Sequence, residues 1–403
     1  MTTSNNNSGG SGGINSILAK LSVKYDDPNV LTTKSKELEI VDKYFSSITC
    51  GDKEVENLLY EVIGYSICKT AKLNKAFIFK GNGRNGKSKI FRILEALLEN
   101  KQISTEDVWE TKQLSQCSHE HLENLSGSKA GSKTTVMSLN KCTVNIAEDQ
   151  KQVKYINTSL LTRLISGEPI SVELKGGDKD DLIPYATLLF SVNEVIDFKE
   201  TGIYITDRFV VIPFSNTFTD DNNNRNINIG EELCQPKALQ IIATRAVQAF
   251  TKVLETGKFT IPPIVEEETK RYFLECNNVA EFCSLYPVKT IIVKSRYYQE
   301  YRNWCNYNNR EAVSNNVFGK EVLALGYRAE RYSFRNDRKT YYAAPDFDNN
   351  NSQDVFNEYI NSSGVCSGTI NAYTDKELAE IFNAKSFDDF LSEKLNCTTT
   401  TGN

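Results

Sequence analysis

Residues 76–100 read AFIFKGNGRNGKSKIFRILEALLEN. A short β-rich run, AFIFK, comes first, and the eight residues after it match G-x-x-x-x-G-K-[ST] with Gly81, Gly86, Lys87 and Ser88 in register. A helical pattern follows directly, with Ile90, Leu94, Leu97 and Leu98 on one face. Strand, Gly-rich turn and helix together aim successive backbone N–H groups and a helix N-terminus at phosphate oxygens. Gly81, Asn82, Gly83, Arg84, Asn85, Gly86, Lys87 and Ser88 are therefore the expected cradle for a nucleotide's phosphates. Lys87 would reach the β- and γ-phosphates and Ser88 would hold Mg²⁺.

Around this stretch, from about residue 71 to 265, β-rich runs alternate with helical patterns. AFIFK, CTVNIA, ATLLFSVN and FVVIPF are the strand candidates. That alternation predicts an α/β core with a largely parallel sheet covered on both faces. Phosphate chemistry needs an acid at the end of a neighbouring strand, to hold the metal and polarise water, and TVNIAEDQ supplies Glu148 and Asp149. A strand ending in acids is common, so alone the pair reads equally as an ordinary strand end; the phosphate loop upstream favours the catalytic role. Asn193, ending the run PYATLLFSVN, is placed to orient water and sense the γ-phosphate, against the plainer reading that it opens a turn.

The remaining composition sets the limits. A chain of 403 residues, 39% hydrophobic, can bury a substantial core. Ten cysteines with no C-x-x-C spacing suit a reducing compartment rather than a disulfide framework or zinc site, and the two histidines, His119 and His121, read as solvated loop residues. There is no charged-then-apolar leader and no run of about 18 apolar residues, so a soluble, cytoplasmic protein without membrane contact is expected.

Between the acids and Asn193 lies TSLLTRLISGEPISVELKGGDKDDLIPYATLLFSVNE. It resembles the diagnostic segment of superfamily 3 helicases, in the phage, plasmid and poxvirus-type primase-helicase branch. Ser166, Gly167, Glu168, Ile170, Glu173, Lys175, Pro184, Tyr185, Ala186 and Asn193 fall on its pattern, and the resemblance extends from about Lys53 to Pro345. It implies an AAA+ P-loop ATPase core assembled as a homo-hexameric ring, with ATP between subunits and single-stranded DNA in the central channel. It also implies that a hairpin after ISVE grips the strand through Lys175, with Lys179 sharing the load because Gly176 and Gly177 occupy positions where aromatic and basic residues are common. Arg208, in DRFVVIPF, becomes the candidate arginine finger for the neighbouring subunit; the competing reading pairs it with Asp207 or another acid.

Flanking segments complete the expected organisation. Residues 1–13 form a Gly/Ser/Asn linker, 14–70 an N-terminal helical domain for oligomerisation, 266–345 a C-terminal winged helix, and 346–403 an acidic Asn/Ser-rich tail that would either shield the basic module or recruit replication proteins. The helix at PKALQIIATRAVQAFTKVLE is expected to close the core as a lid. From Lys294 to Lys339, ten basic residues face five acids in a chain of net charge −5. That polarisation suits duplex origin DNA, with Lys320, Arg331, Arg335 and Arg338 as contacts; a solvated basic face is the plainer alternative. About 60 helical residues ahead of the core are too few for a polymerising domain, so no primer synthesis is expected. The leading reading is a replicative DNA helicase, also serving as an origin initiator. The competitors are a DNA-stimulated ATPase that remodels or loads another protein, and an origin-binding protein in which ATP only orders assembly.

Overall fold

The computed structural model of the chain describes residues 21–25, 27–98, 117–125, 136–140, 142–148, 158–173, 179–193, 195–196, 198, 203–219, 226–288, 291–334 and 337–345. The chain divides into two compact units, Met1–Cys276 and Asn277–Asn403.

The first unit is built on a five-stranded parallel sheet. Its strands are β1 (Ala76–Lys80), β2 (Cys117–Ser118), β3 (Val144–Ala147), β6 (Thr187–Val192) and β7 (Phe209–Pro213), in the order β2-β3-β6-β1-β7. β1 lies between β6 and the edge strand β7, Phe77 standing beside Leu189 on one side and Val210 on the other. Because side chains alternate along a strand, Phe77 and Phe79 enter one apolar layer while Ala76 and Ile78 enter the opposite one. With both faces buried, these strands read as continuous apolar runs rather than alternating ones.

The first layer is covered by helices α1 (Lys36–Ile48), α2 (Lys53–Ser66), α3 (Lys87–Leu98), α7 (Ile229–Leu233) and α8 (Pro236–Thr256). α2 is buried almost all round, through Val55, Leu58, Leu59, Val62 and Ile63 among others. Its buried Glu56 and Glu61 are answered by partners there, Lys53 at 2.7 Å for Glu56 and, for Glu61, the Asn57 amide and the Thr260 N–H. The segment 14–70, expected as a helical domain of its own, thus contributes α1 and α2 to the same core as the sheet. The other face carries α4 (Leu122–Leu125), α5 (Thr158–Ser166) and an antiparallel hairpin of β4 (Ile170–Glu173) and β5 (Lys179–Leu182). A short α6 (Ile203–Thr206) precedes β7, and α9 (Pro263–Glu275) packs on that edge strand. There the Thr269 hydroxyl accepts from the Val211 N–H at 2.9 Å. The sequence places a domain boundary near residue 266, whereas α9 packs as part of the first unit.

The second unit contains α10 (Asn278–Leu285), β8 (Ile291–Val293), α11 (Lys294–Tyr307), α12 (Asn315–Ala324), β9 (Arg328–Phe334) and β10 (Asp337–Ala343). Its sheet is antiparallel, in the order β8-β10-β9. The core is aromatic: Phe318 stacks on Tyr301 with ring centroids 4.7 Å apart, and Phe282, Tyr297, Trp304 and Tyr342 close around them. Asn277 caps α10, its side chain accepting from the N–H groups of Val279 and Ala280.

Candidate nucleotide site

The phosphate loop joins the carboxyl end of β1 to the start of α3. Three backbone bonds fix it: Gly81 N–H donates to the Val192 carbonyl, Phe214 N–H to the Lys80 carbonyl, and Phe218 N–H to the Arg84 carbonyl, at 3.1, 2.8 and 2.8 Å. The loop then turns through positive φ at Gly83, Arg84 and Gly86, the kind of backbone curl that gathers N–H groups into an anion-binding concavity. Glycine is needed at two positions for space as well. A Cβ at Gly81 would stand 2.0 Å from Asn85 Nδ2 and 2.7 Å from the Phe214 carbonyl, and one at Gly86 2.7 Å from Ile48 Cγ2.

Lys87 opens α3 and is only 4% exposed. Its ammonium donates to the Gly81 carbonyl, to the Val192 carbonyl at 3.3 Å and to Asn193 Oδ1 at 3.1 Å. A buried cation requires such a set of oxygens. The contact with Asn193 brings two residues 106 positions apart into one site. Ser88 is exposed beside it, as are Asn82 and Arg84. Asn85 is buried, and its Nδ2 reaches the Phe214 carbonyl at 3.4 Å, so its side chain braces the loop.

Glu148 is exposed immediately after β3, and Asp149 lies outside the described residues. β3 is not the direct neighbour of β1; β6 runs between them. Glu148, Asn193 and the loop therefore follow three successive parallel strands and share the carboxyl edge of the sheet, where ligands of open α/β sheets bind. Two strand spacings place β3 about 10 Å from β1. Among the described residues no cluster of three or more His, Cys, Asp or Glu side chains is arranged to hold a metal by itself.

Arg208 lies at the other edge. Its carbonyl accepts from the Ala76 N–H at 2.8 Å, at the beginning of β1, and its guanidinium donates to Ser166 Oγ at the end of α5. Asp207 is exposed, and its carbonyl accepts from Lys75. Lys175 lies outside the described residues; Lys179 is the first residue of β5 and stands opposite Glu173 in the backbone register of the hairpin. In the second unit, Lys320 is exposed on α12 and Arg331 on β9, Arg338 pairs with Ser333 across the β9–β10 hairpin, and Arg335 lies outside the described residues.

Two further groups brace the site without a sequence signal. Lys80, the last residue of β1, contacts Glu268 at 3.0 Å and Glu275 at 3.3 Å and lies 5.4 Å from the centroid of the Tyr272 ring. The Glu268 contact is ionic rather than a well-directed hydrogen bond, since that oxygen has no partner of good geometry. The Tyr272 hydroxyl accepts from the Ile196 N–H at 3.2 Å, three residues beyond Asn193. α9 thus holds both the strand before the phosphate loop and the segment after Asn193. A lysine ending a strand and a tyrosine in a helix are ordinary residues in sequence, and only the fold brings them here.

A family of unknown function, DUF5906, matches residues 79–208. No curated protein matches the chain. Among solved structures, the chain is similar to the A form apo structure of the NrS-1 C-terminal region, with 12% identity and a TM-score of 0.42 over 79% of this chain and 78% of the other. A second structure, a JCV helicase with a bound small molecule, aligns at 13% identity and a TM-score of 0.28 over 66% and 65%.

Proposed function

We propose that the chain is an ATP-dependent DNA helicase of the superfamily 3 type, working as a homo-hexameric ring that draws single-stranded DNA through its centre during replication of a phage, plasmid, virus or mobile element. The observation that carries the reading is the bond from Lys87 to Asn193 Oδ1. It joins a phosphate-loop lysine to a polar residue at the end of the adjacent strand, which puts a group able to orient water beside the lysine that would hold the terminal phosphates.

Lys87 and the loop N–H groups bind the β- and γ-phosphates, and Asn193 orients the attacking water. Ser88, with Glu148 or Asp149, would hold Mg²⁺, which supplies charge neutralisation on the phosphate oxygens. Arg208 stabilises the charge developing in a neighbouring subunit's site. Lys175 and Lys179 grip the strand through its phosphates, a contact indifferent to sequence, as translocation demands. The second unit, read as a winged helix, places α12 and the β9–β10 hairpin against duplex DNA, with origin recognition as its role.

The test is ATP-dependent unwinding of a forked duplex by wild type, Lys87→Ala and Lys175→Ala. Wild type is expected to unwind, Lys87→Ala to lose hydrolysis, and Lys175→Ala to hydrolyse ATP without separating strands. Hydrolysis by wild type with no strand separation on forks of either tail polarity would replace the helicase with a remodeller or loader.

A further inference from the structure

The carbonyls on the outer side of the phosphate loop are held by groups from elsewhere in the first unit. Phe218 N–H takes the Arg84 carbonyl. The Gly86 carbonyl accepts from two donors, Lys89 N–H at 2.9 Å and the hydroxyl of Tyr44 at 3.0 Å. Tyr44 belongs to α1, 42 residues upstream, and is buried in the same core as the sheet. Its ring and Ile48 of the same helix, with Phe218 after β7, wall the loop at Gly86. A second tie fixes that helix to the segment after β7: Asn216 Nδ2 donates to the Ser47 carbonyl at 2.8 Å.

Peptide geometry converts this into a statement about the ligand side. A trans peptide is planar, with C=O and N–H pointing in opposite directions. Holding the Gly86 carbonyl toward Tyr44 therefore points the Lys87 N–H away from α1. That N–H is at the first residue of α3, one of the donors a helix leaves without an internal partner, and a donor that favours anions. Burial pushes the Tyr44 phenol well above its ordinary pKa, so it remains a protonated donor through the neutral range.

We infer that Tyr44 is a positioning residue for nucleotide phosphate: by anchoring the Gly86 carbonyl it aims the Lys87 N–H into the phosphate cradle. The inference rests on the proposed reading of the loop and adds to it a residue from α1. Tyr44 acts on the bound phosphates before and during hydrolysis alike, so its loss belongs in affinity and KM rather than in kcat.

The experiment uses the full chain and compares wild type, Tyr44→Phe, Tyr60→Phe and Lys87→Ala by calorimetric titration with ATP and ADP and by steady-state hydrolysis. Tyr60 is the control: it is buried beside Tyr44's neighbour Phe45, and its hydroxyl bonds Arg245 at 3.0 Å instead of the loop. Tyr44→Phe keeps the ring and removes one hydrogen bond, so a three- to ten-fold rise in Kd for ATP and ADP and in KM is expected, on the order of one such bond. kcat should stay within about two-fold, and Tyr60→Phe should match wild type. Equal behaviour of the two phenylalanine variants, or a fall in kcat with KM unchanged, overturns the inference. If Lys87→Ala abolishes hydrolysis while Tyr44→Phe matches wild type, the loop reading stands and only the role of Tyr44 falls. If wild type neither binds nor hydrolyses ATP, both fall.

Discussion

At the scale of single residues, the ammonium of Lys87 donates to the carbonyls of Gly81 and Val192 as well as to the side chain of Asn193. The carbonyls of Gly81 and Val192 belong to the scaffold and survive any substitution at 193. Asn193→Ala should therefore leave the lysine in place, keep the Kd for ATP within about three-fold, and lower kcat by about 10- to 100-fold through lost water orientation. Titration calorimetry beside a phosphate-release assay separates the two; a large loss of affinity with kcat intact would remove Asn193 from hydrolysis. Lys87, Ser88 and the glycines were legible in sequence because a phosphate loop is a local device whose parts lie within eight residues. Asn193 was legible only as the end of an apolar run. Tyr44 was not legible at all: a tyrosine at a buried helical position is indistinguishable from core until the chain folds and brings it to Gly86.

At the scale of elements, the packing of α2 on α8 turns on Gly64. A Cβ there would meet the Ala246 carbonyl oxygen at 2.4 Å and Phe250 Cβ at 2.5 Å. Neither can swing aside, because one is main chain and the other is the first atom of its side chain. Alanine gains about 1 kcal/mol over glycine in helix propensity, while overpacking costs about 1–3 kcal/mol, more where backbone must move. Gly64→Ala is expected to lower the denaturant midpoint, and an unchanged or raised midpoint would mean that the two helices separate freely. The long apolar strands β1, β3, β6 and β7 were all readable as runs. β2 and β8, two and three residues long, are too short to carry any periodicity. α9 was readable as a helix, but its pattern does not say which core receives it; that depends on Thr269, Tyr272 and the acids that meet Lys80.

At the scale of the molecule, charge is unevenly shared. The chain is net −5, yet the stretch from Lys294 to Lys339 has twice as many bases as acids. If that surface binds duplex phosphates, Lys320→Glu with Arg331→Glu should weaken duplex binding at all sequences alike and reduce the slope of log affinity against log salt by about 2. Fluorescence anisotropy over a salt series measures this; an unchanged slope would return the surface to simple solvation. The division of the chain was only partly legible, since sequence periodicity locates helices and not the cores they join.

Arg208 sits beside the first residue of β1, and the phosphate loop begins after the last. About 13 Å of strand separates the two ends, and the guanidinium is tied to Ser166 at the near one. No single copy can bring this arginine to its own loop without unravelling the sheet. If Arg208 assists hydrolysis, turnover per molecule is then a property of the solution as much as of the chain. It would fade on dilution, and two inactive variants, one lacking Lys87 and one lacking Arg208, would recover activity when mixed.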